Sequence, residues 1–186
     1  MGLIGWLKRK ESDTRKRRRE WRTAWESAIE SEAEGRLDEL RAGLPALEAD
    51  GEDIEIEIEM LEALAELAKI HHATANGGMP AIETHHRVIG AEACHFTAPA
   101  SLPTDAAQPS GRVLFTPSRS LFIGGGKTAS LPWHAVQHIV RQDRDLLLAR
   151  ASGADGAHFR FNSYADAVAA AFLARRLKAA RITAVL

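Results

Sequence analysis

Several things are scarce in these 186 residues, and each scarcity excludes a class of protein. There is one cysteine, Cys94, so no internal disulfide can form and a reducing, cytoplasmic setting is expected. No apolar run approaches the ~20 residues that a membrane-crossing helix needs. The opening MGLIGWLKRK is apolar for only seven residues and carries its charge afterwards, the reverse of a secretory leader. Trp6 stands where a myristoylation signal would place Ser or Thr. No CxxC or HExxH spacing occurs, and no Ser-His-Asp set or pair of carboxylates can be singled out. Asp143, Asp145, Asp155 and Asp166 fall at turns or a helix start, where aspartate is ordinary. Catalysis therefore has no residue to stand on, and neither an enzyme nor a cofactor is expected.

What is present is segregated charge. The net charge of −1 conceals a basic opening, an acidic middle and a mildly basic remainder. Residues 1–22 hold nine Lys/Arg against three Asp/Glu, and residues 23–70 hold three against fifteen. The basic part is built from Lys8, Arg9, Lys10, Arg15, Lys16, Arg17, Arg18 and Arg19, behind a short apolar cluster around Trp6. An apolar insertion beside a polybasic patch is a two-signal arrangement for reversible attachment to anionic membranes. The same cations would suit nucleic-acid phosphates. They would also suit the chain's own acidic segment.

Helical spacing governs residues 15–75. Trp21, Trp25, Ala28, Ala33, Leu37, Leu40 and Leu44 recur at steps of three to five, predicting one helix that Gly43 and Pro45 end. A second helix follows to about His71. In it Glu55, Glu59, Glu62 and Glu66 form an acidic face beside Ile58, Leu61, Leu64 and Ala68. The two make a helical hairpin, a surface also suited to self-association.

After residue 76 the texture changes to short apolar segments bounded by Gly, Pro, Asp and Ser: ACHFTAPASL, GRVLFT, SRSLFIGG, TASLPW, AVQHIVRQ, DLLLARAS and AHFRF. Seven strands are expected, then an alanine-rich helix capped by Asn162 or Ser163. GGGKT within SRSLFIGGGKTASLPW resembles a phosphate-binding loop. However, Leu121 occupies the position of the first required glycine, and Pro132 and Trp133 follow where a helix must start. A turn between strands is expected instead.

Residues 111–123 run glycine, apolar strand, threonine, basic turn, apolar strand; 131–140 lead from a small-apolar-proline segment into a strand; Phe159 and Phe161 precede the closing helix. Over residues 90–181 this resembles the pleckstrin-homology-like fold in its GRAM-like, bacterial form. Outside the resemblance, the spacing and charge of the earlier residues predict a tail (1–14), a helical hairpin (15–75) and a linker (76–89). The resemblance implies an antiparallel barrel or sandwich of about seven strands with a C-terminal helix (90–186), so that the whole chain is α+β. The same resemblance implies a non-catalytic interaction module for a protein partner or an anionic membrane surface, peripheral at its inner face. Some relatives bind acidic headgroups through basic residues around the first strand-to-strand loop. Here that loop, TDAAQPSG, has none, leaving Arg112, Arg119 and Lys127 as barrel-face candidates.

Two alternatives come from other classes. His71, His72, His85, His86 and His95, with Cys94, are residue types that zinc accepts, as a metal-binding protein or hydrolase would use them. The Arg/Lys run would serve a nucleic-acid binder.

Overall fold

The stripe headed by Trp21 and Trp25 folds back on itself. The computed structural model describes residues 3–31, 34–49, 53–75, 78–84, 86–150 and 156–183, with side chains except at 3–12, 34 and 181–183. The chain divides into two units, Met1–Lys69 and Ile70–Leu186.

In the first unit α1 (Leu3–Glu30) begins at Leu3 rather than at Arg15. A 3-10 turn at Glu34–Arg36 separates it from α2 (Leu37–Glu48). The expected single helix is thus two. Apolar spacing is equally consistent with one long helix and with two that continue the stripe, and the polar residues around Gly35 supply the break. Pro45 does not end α2: the ring removes one amide donor, but the Pro45 carbonyl still accepts from Ala49 N at 3.0 Å.

The third helix, α3 (Glu55–Ala75), begins in this unit, and its last turn belongs to the second. The buried stripe of α1 runs through Thr14, Trp21, Trp25, Ala28 and Ile29. Trp21 Nε1 donates to the Leu40 carbonyl of α2 at 2.9 Å, and Trp25 Nε1 to the Met60 carbonyl of α3 at 2.5 Å. Each indole fills the seam and satisfies its own N–H there.

The second unit contains seven antiparallel strands: β1 (Phe96–Ser101), β2 (Ser110–Phe115), β3 (Arg119–Gly124), β4 (Lys127–Pro132), β5 (Val136–Gln142), β6 (Asp145–Arg150) and β7 (Ala157–Phe161). Their order is β4-β3-β2-β1-β7-β6-β5. The join between β1 and β7 is short, with only Ala100↔Phe161 and Ser101↔Arg160 in register. There the sheet curls, so that Phe122 of β3 stacks on Phe159 of β7 at 6.5 Å. Phe96, Phe115, Phe161 and Trp133 continue the interior as edge or tilted ring pairs. Helix α4 (Tyr164–Thr183) closes the curl against β5, β6, β7 and β1. Its buried face is largely alanine, with Val168, Phe172, Leu173 and Leu177. Ser163 caps it, its Oγ accepting from Asp166 N at 3.1 Å.

The glycine triplet is a hairpin turn. Gly124 pairs with Lys127, and Gly125 and Gly126 carry φ of 58° and 74°. Two successive left-handed residues match the twist of the flanking strands. Thr128 continues β4 and no helix follows. Gly111 and Gly124 face each other across β2 and β3. A Cβ on Gly111 would lie 2.3 Å from the Ile123 carbonyl oxygen.

Candidate functional site

The polybasic run is sorted by its helix. Arg18 falls one turn after Thr14 and one turn before Trp21 and Arg22, on the buried side of α1. Both arginines meet one carboxylate, that of Glu57 on α3. Arg22 donates to Oε1 through Nε at 2.9 Å and lies at 2.7 Å through Nη2, while Arg18 Nε stands 3.4 Å away. Arg18 Nη2 also donates to the Asp53 carbonyl at 2.6 Å. The Glu57 side chain is 0% exposed. A carboxylate so buried needs opposite charge and hydrogen bonds to be tolerated. Both guanidiniums bring charge to Oε1 and Arg22 the hydrogen bond, while Oε2 has no hydrogen-bond partner among the described residues.

Glu57 was invisible in the alternating IEIEIE. Ile58, expected on the apolar face, is 43% exposed, and Ile56 is 44% exposed. The buried stripe is instead Glu57, Met60, Leu61, Leu64 and Leu67, with the glutamate at its head. The three-and-four spacing from Leu67 back through Leu64 and Leu61 to Glu57 was the available signal.

Arg15, Lys16, Arg17 and Arg19 are exposed, Arg15 and Arg17 flanking the buried stripe and Lys16 and Arg19 further round the helix. Lys16 stands 3.8 Å from Glu20, both more than half exposed, a pair of little energetic consequence. Arg15 and Arg17 have partners of their own. Trp6, Lys8, Arg9 and Lys10 belong to the α1 backbone, and their side chains lie outside the described ones.

The three basic residues of the barrel face are not one patch. Arg119 opens β3 and is tied to Glu92 at 3.0 Å and to the Val88 carbonyl at 3.3 Å. Lys127 opens β4 at the opposite end of that hairpin and is tied to Asp105 of the β1–β2 loop at 2.6 Å. Its hydrogen bond holds the Asp105 carboxyl below the usual carboxylate range. Arg112 is exposed, with Nη1 3.4 Å from Thr97 Oγ1. Burial works against ionisation of Glu92, yet Ser118, Thr116 and Arg119 together hold its carboxyl below the ordinary value. This network fastens the segment before β1 to the β2–β3 turn, over a cluster of Ile89, Cys94, Leu114 and Leu121.

The histidines are dispersed. His71 stands edge-on to Phe172 at 6.0 Å, and His72 and His86 are exposed. His95 Nδ1 donates to the Pro80 carbonyl at 2.7 Å; His85 lies outside the described residues. The Cys94 thiol donates to the Phe96 carbonyl at 3.2 Å, and burial pushes its pKa up. Among the described residues no group of three or more His, Cys, Asp or Glu is gathered closely enough to hold a metal ion. No described helix is long and apolar enough to cross a membrane.

No family model matches the chain, and no curated protein does. Among solved structures, the Vps36 N-terminal PH domain is similar at a TM-score of 0.40 and 15% identity, over 50% of this chain and 83% of that one. The C-terminal domain of an unknown protein from Leishmania infantum is similar at 0.41 and 13%, over 48% and 88%. The second unit has the pleckstrin-homology-like architecture, as its own strand order and closing helix attest.

Proposed function

We propose that this chain is a non-catalytic interaction module that docks on an anionic membrane surface through the outer face of α1, while the pleckstrin-homology-like unit offers a face to a protein partner. One observation carries the reading. Arg18 and Arg22 turn inward to Glu57, and Arg15, Lys16, Arg17 and Arg19 of the same helix are exposed. A helix that turns two cations to its own core still leaves exposed cations beside them, Lys16 and Arg19 furthest from the buried stripe, where a flat anionic surface can meet them. Each contributes about 1 kcal/mol near such a surface. Lys8, Arg9 and Lys10 extend the attraction in this reading, and Trp6 inserts.

The test is co-sedimentation with phosphatidylserine-containing and purely phosphatidylcholine vesicles. Deleting residues 1–22 would remove Thr14 and Trp21 from the core, so substitution is the cleaner perturbation. The quadruple change Arg15→Gln, Lys16→Gln, Arg17→Gln and Arg19→Gln is expected to lower anionic-vesicle binding by roughly two orders of magnitude or more. Trp6→Ala should weaken it without changing the preference for negative lipid. Equal binding by wild type and quadruple variant would sink the proposal. Tight, salt-steep binding to duplex DNA that needs no Trp6 would favour nucleic acid instead.

A further inference from the structure

The second unit contains a cavity of about 540 Å³ between the two halves of the curled sheet. Leu102 and Asp105 of the β1–β2 loop, Phe122 and Leu131 of the β3–β4 hairpin, and Phe159 of β7 are among its walls. Its volume falls in the range of small-molecule sites, about 300–1,000 Å³. The walls mix apolar side chains with Thr104, Ser120, Ser130 and His158, and Arg150, the last residue of β6, also lines it.

Alternation along a strand decides where Arg150 faces. Leu146 and Leu148 are fully buried, and Arg150, two residues on, shares their side of β6; the cavity it lines also reaches Leu147 and His158 of the other side. Arg150 stands opposite Val136 of β5, itself buried. An arginine at an inward strand position is costly unless its charge is answered. Its Nε is buried and has no hydrogen-bond partner among the described residues. Among the described residues the acid that shares this wall, and the acid at the far end of β6, both have cations of their own. Asp105 is bonded to Lys127 at 2.6 Å. Asp145 is held by Arg160 through two bonds, at 2.9 and 2.8 Å, with His158 at 3.4 Å.

We propose that this cavity binds a small amphiphilic carboxylate, its hydrocarbon part lying on Phe122, Leu131 and Phe159 and its carboxylate on the Arg150 guanidinium. The planar fork of arginine matches a carboxylate through paired hydrogen bonds. A single cation among apolar walls suits one negative charge attached to a hydrocarbon body. A polyphosphorylated headgroup would need several cations, and among the described residues Arg150 is the only Lys or Arg on this wall.

The experiment titrates the full chain with decanoate below its micellar concentration, following backbone amide shifts. Decanol and inorganic phosphate serve as separate probes. Saturable shifts confined to the neighbourhood of Phe122, Leu131, Ala157 and Phe159 are expected with decanoate. Decanol should bind roughly tenfold or more weakly, the contribution of hydrogen bonds to a charged group, and phosphate alone should not compete. Arg150→Met, which keeps length and removes charge, should reduce decanoate affinity by a similar factor and leave decanol unchanged. If that variant does not fold, the comparison of decanoate with decanol on the wild type still decides. Equal binding of the two overturns the role of Arg150. Displacement of decanoate by phosphate overturns the amphiphile, and absence of any saturable, localised shift overturns the site.

Discussion

The two units use the same device in different settings. In the helical unit Trp21 and Trp25 donate to main-chain carbonyls of neighbouring helices; in the sheet unit Trp133 donates to the Thr116 carbonyl at 2.8 Å. Beyond that they diverge. The helical unit buries a carboxylate between two arginines, whereas the sheet unit fills its centre with phenylalanine and alanine. The cause lies in where backbone hydrogen bonds go. A helix satisfies most of its peptide groups internally, so no backbone-to-backbone ladder positions α1 against α2 or α3, and side chains, some of them bonded to carbonyls of the neighbouring helix, must specify the seam. In an antiparallel sheet the ladder itself sets which residues oppose, and the side chains need only fill the curl.

The strongest way to break this contrast is to empty the aromatic centre. Trp133→Ala is expected to cost about 4 kcal/mol in the second unit, because it opens a void beside Phe115 and leaves the Thr116 carbonyl without its donor. Chemical denaturation followed by per-residue hydrogen exchange should show the loss in Ile70–Leu186 and spare the helical unit. A sharper probe is Glu57→Gln, which keeps shape but strands two cations. A loss of about 2 kcal/mol confined to the first unit is expected, against at most about 0.5 kcal/mol for the exposed neighbour Ile58→Gln. Equal small effects at both positions would mean that the buried pair does not hold the seam.

The smallest effect is one of pH. The Arg160 hydrogen bonds hold Asp145 below its ordinary value, and the Ser118, Thr116 and Arg119 contacts outweigh burial to do the same for Glu92. A carboxylate whose folded pKa is depressed stabilises the fold above its unfolded value, and that contribution is lost as pH falls through the folded one. The second unit should therefore lose stability below the ordinary carboxylate range, and Glu92→Gln should flatten that acid limb. An unchanged pH profile in the variant would remove Glu92 from the account.

The seven strands were legible because alternation, turn residues and proline positions are local signals. The turn at Gly125 and Gly126 and the cap at Ser163 were legible for the same reason. The first helix was misread as running through residues 31–36, since apolar spacing carries no information on whether an axis continues. The candidate site was legible only as composition: the run of cations was plain, but not which of them face Glu57. Arg119 and Lys127 were candidates on the barrel face, and the β3–β4 register places them at opposite ends of that hairpin, each with its own acidic partner.

What the sequence by itself determined is therefore the identity and order of the β elements, the capped closing helix and the surplus of positive charge at the start of the chain. Only the tertiary structure decided that Glu57 is inside and Ile58 outside, that Arg18 and Arg22 turn to Glu57 while their neighbours are exposed, and that Arg150 lines a cavity. Local geometry follows from neighbours along the chain, over a few residues. Which charges meet depends on segments some 35 positions apart, as with Arg22 and Glu57, and no spacing within either segment encodes that meeting.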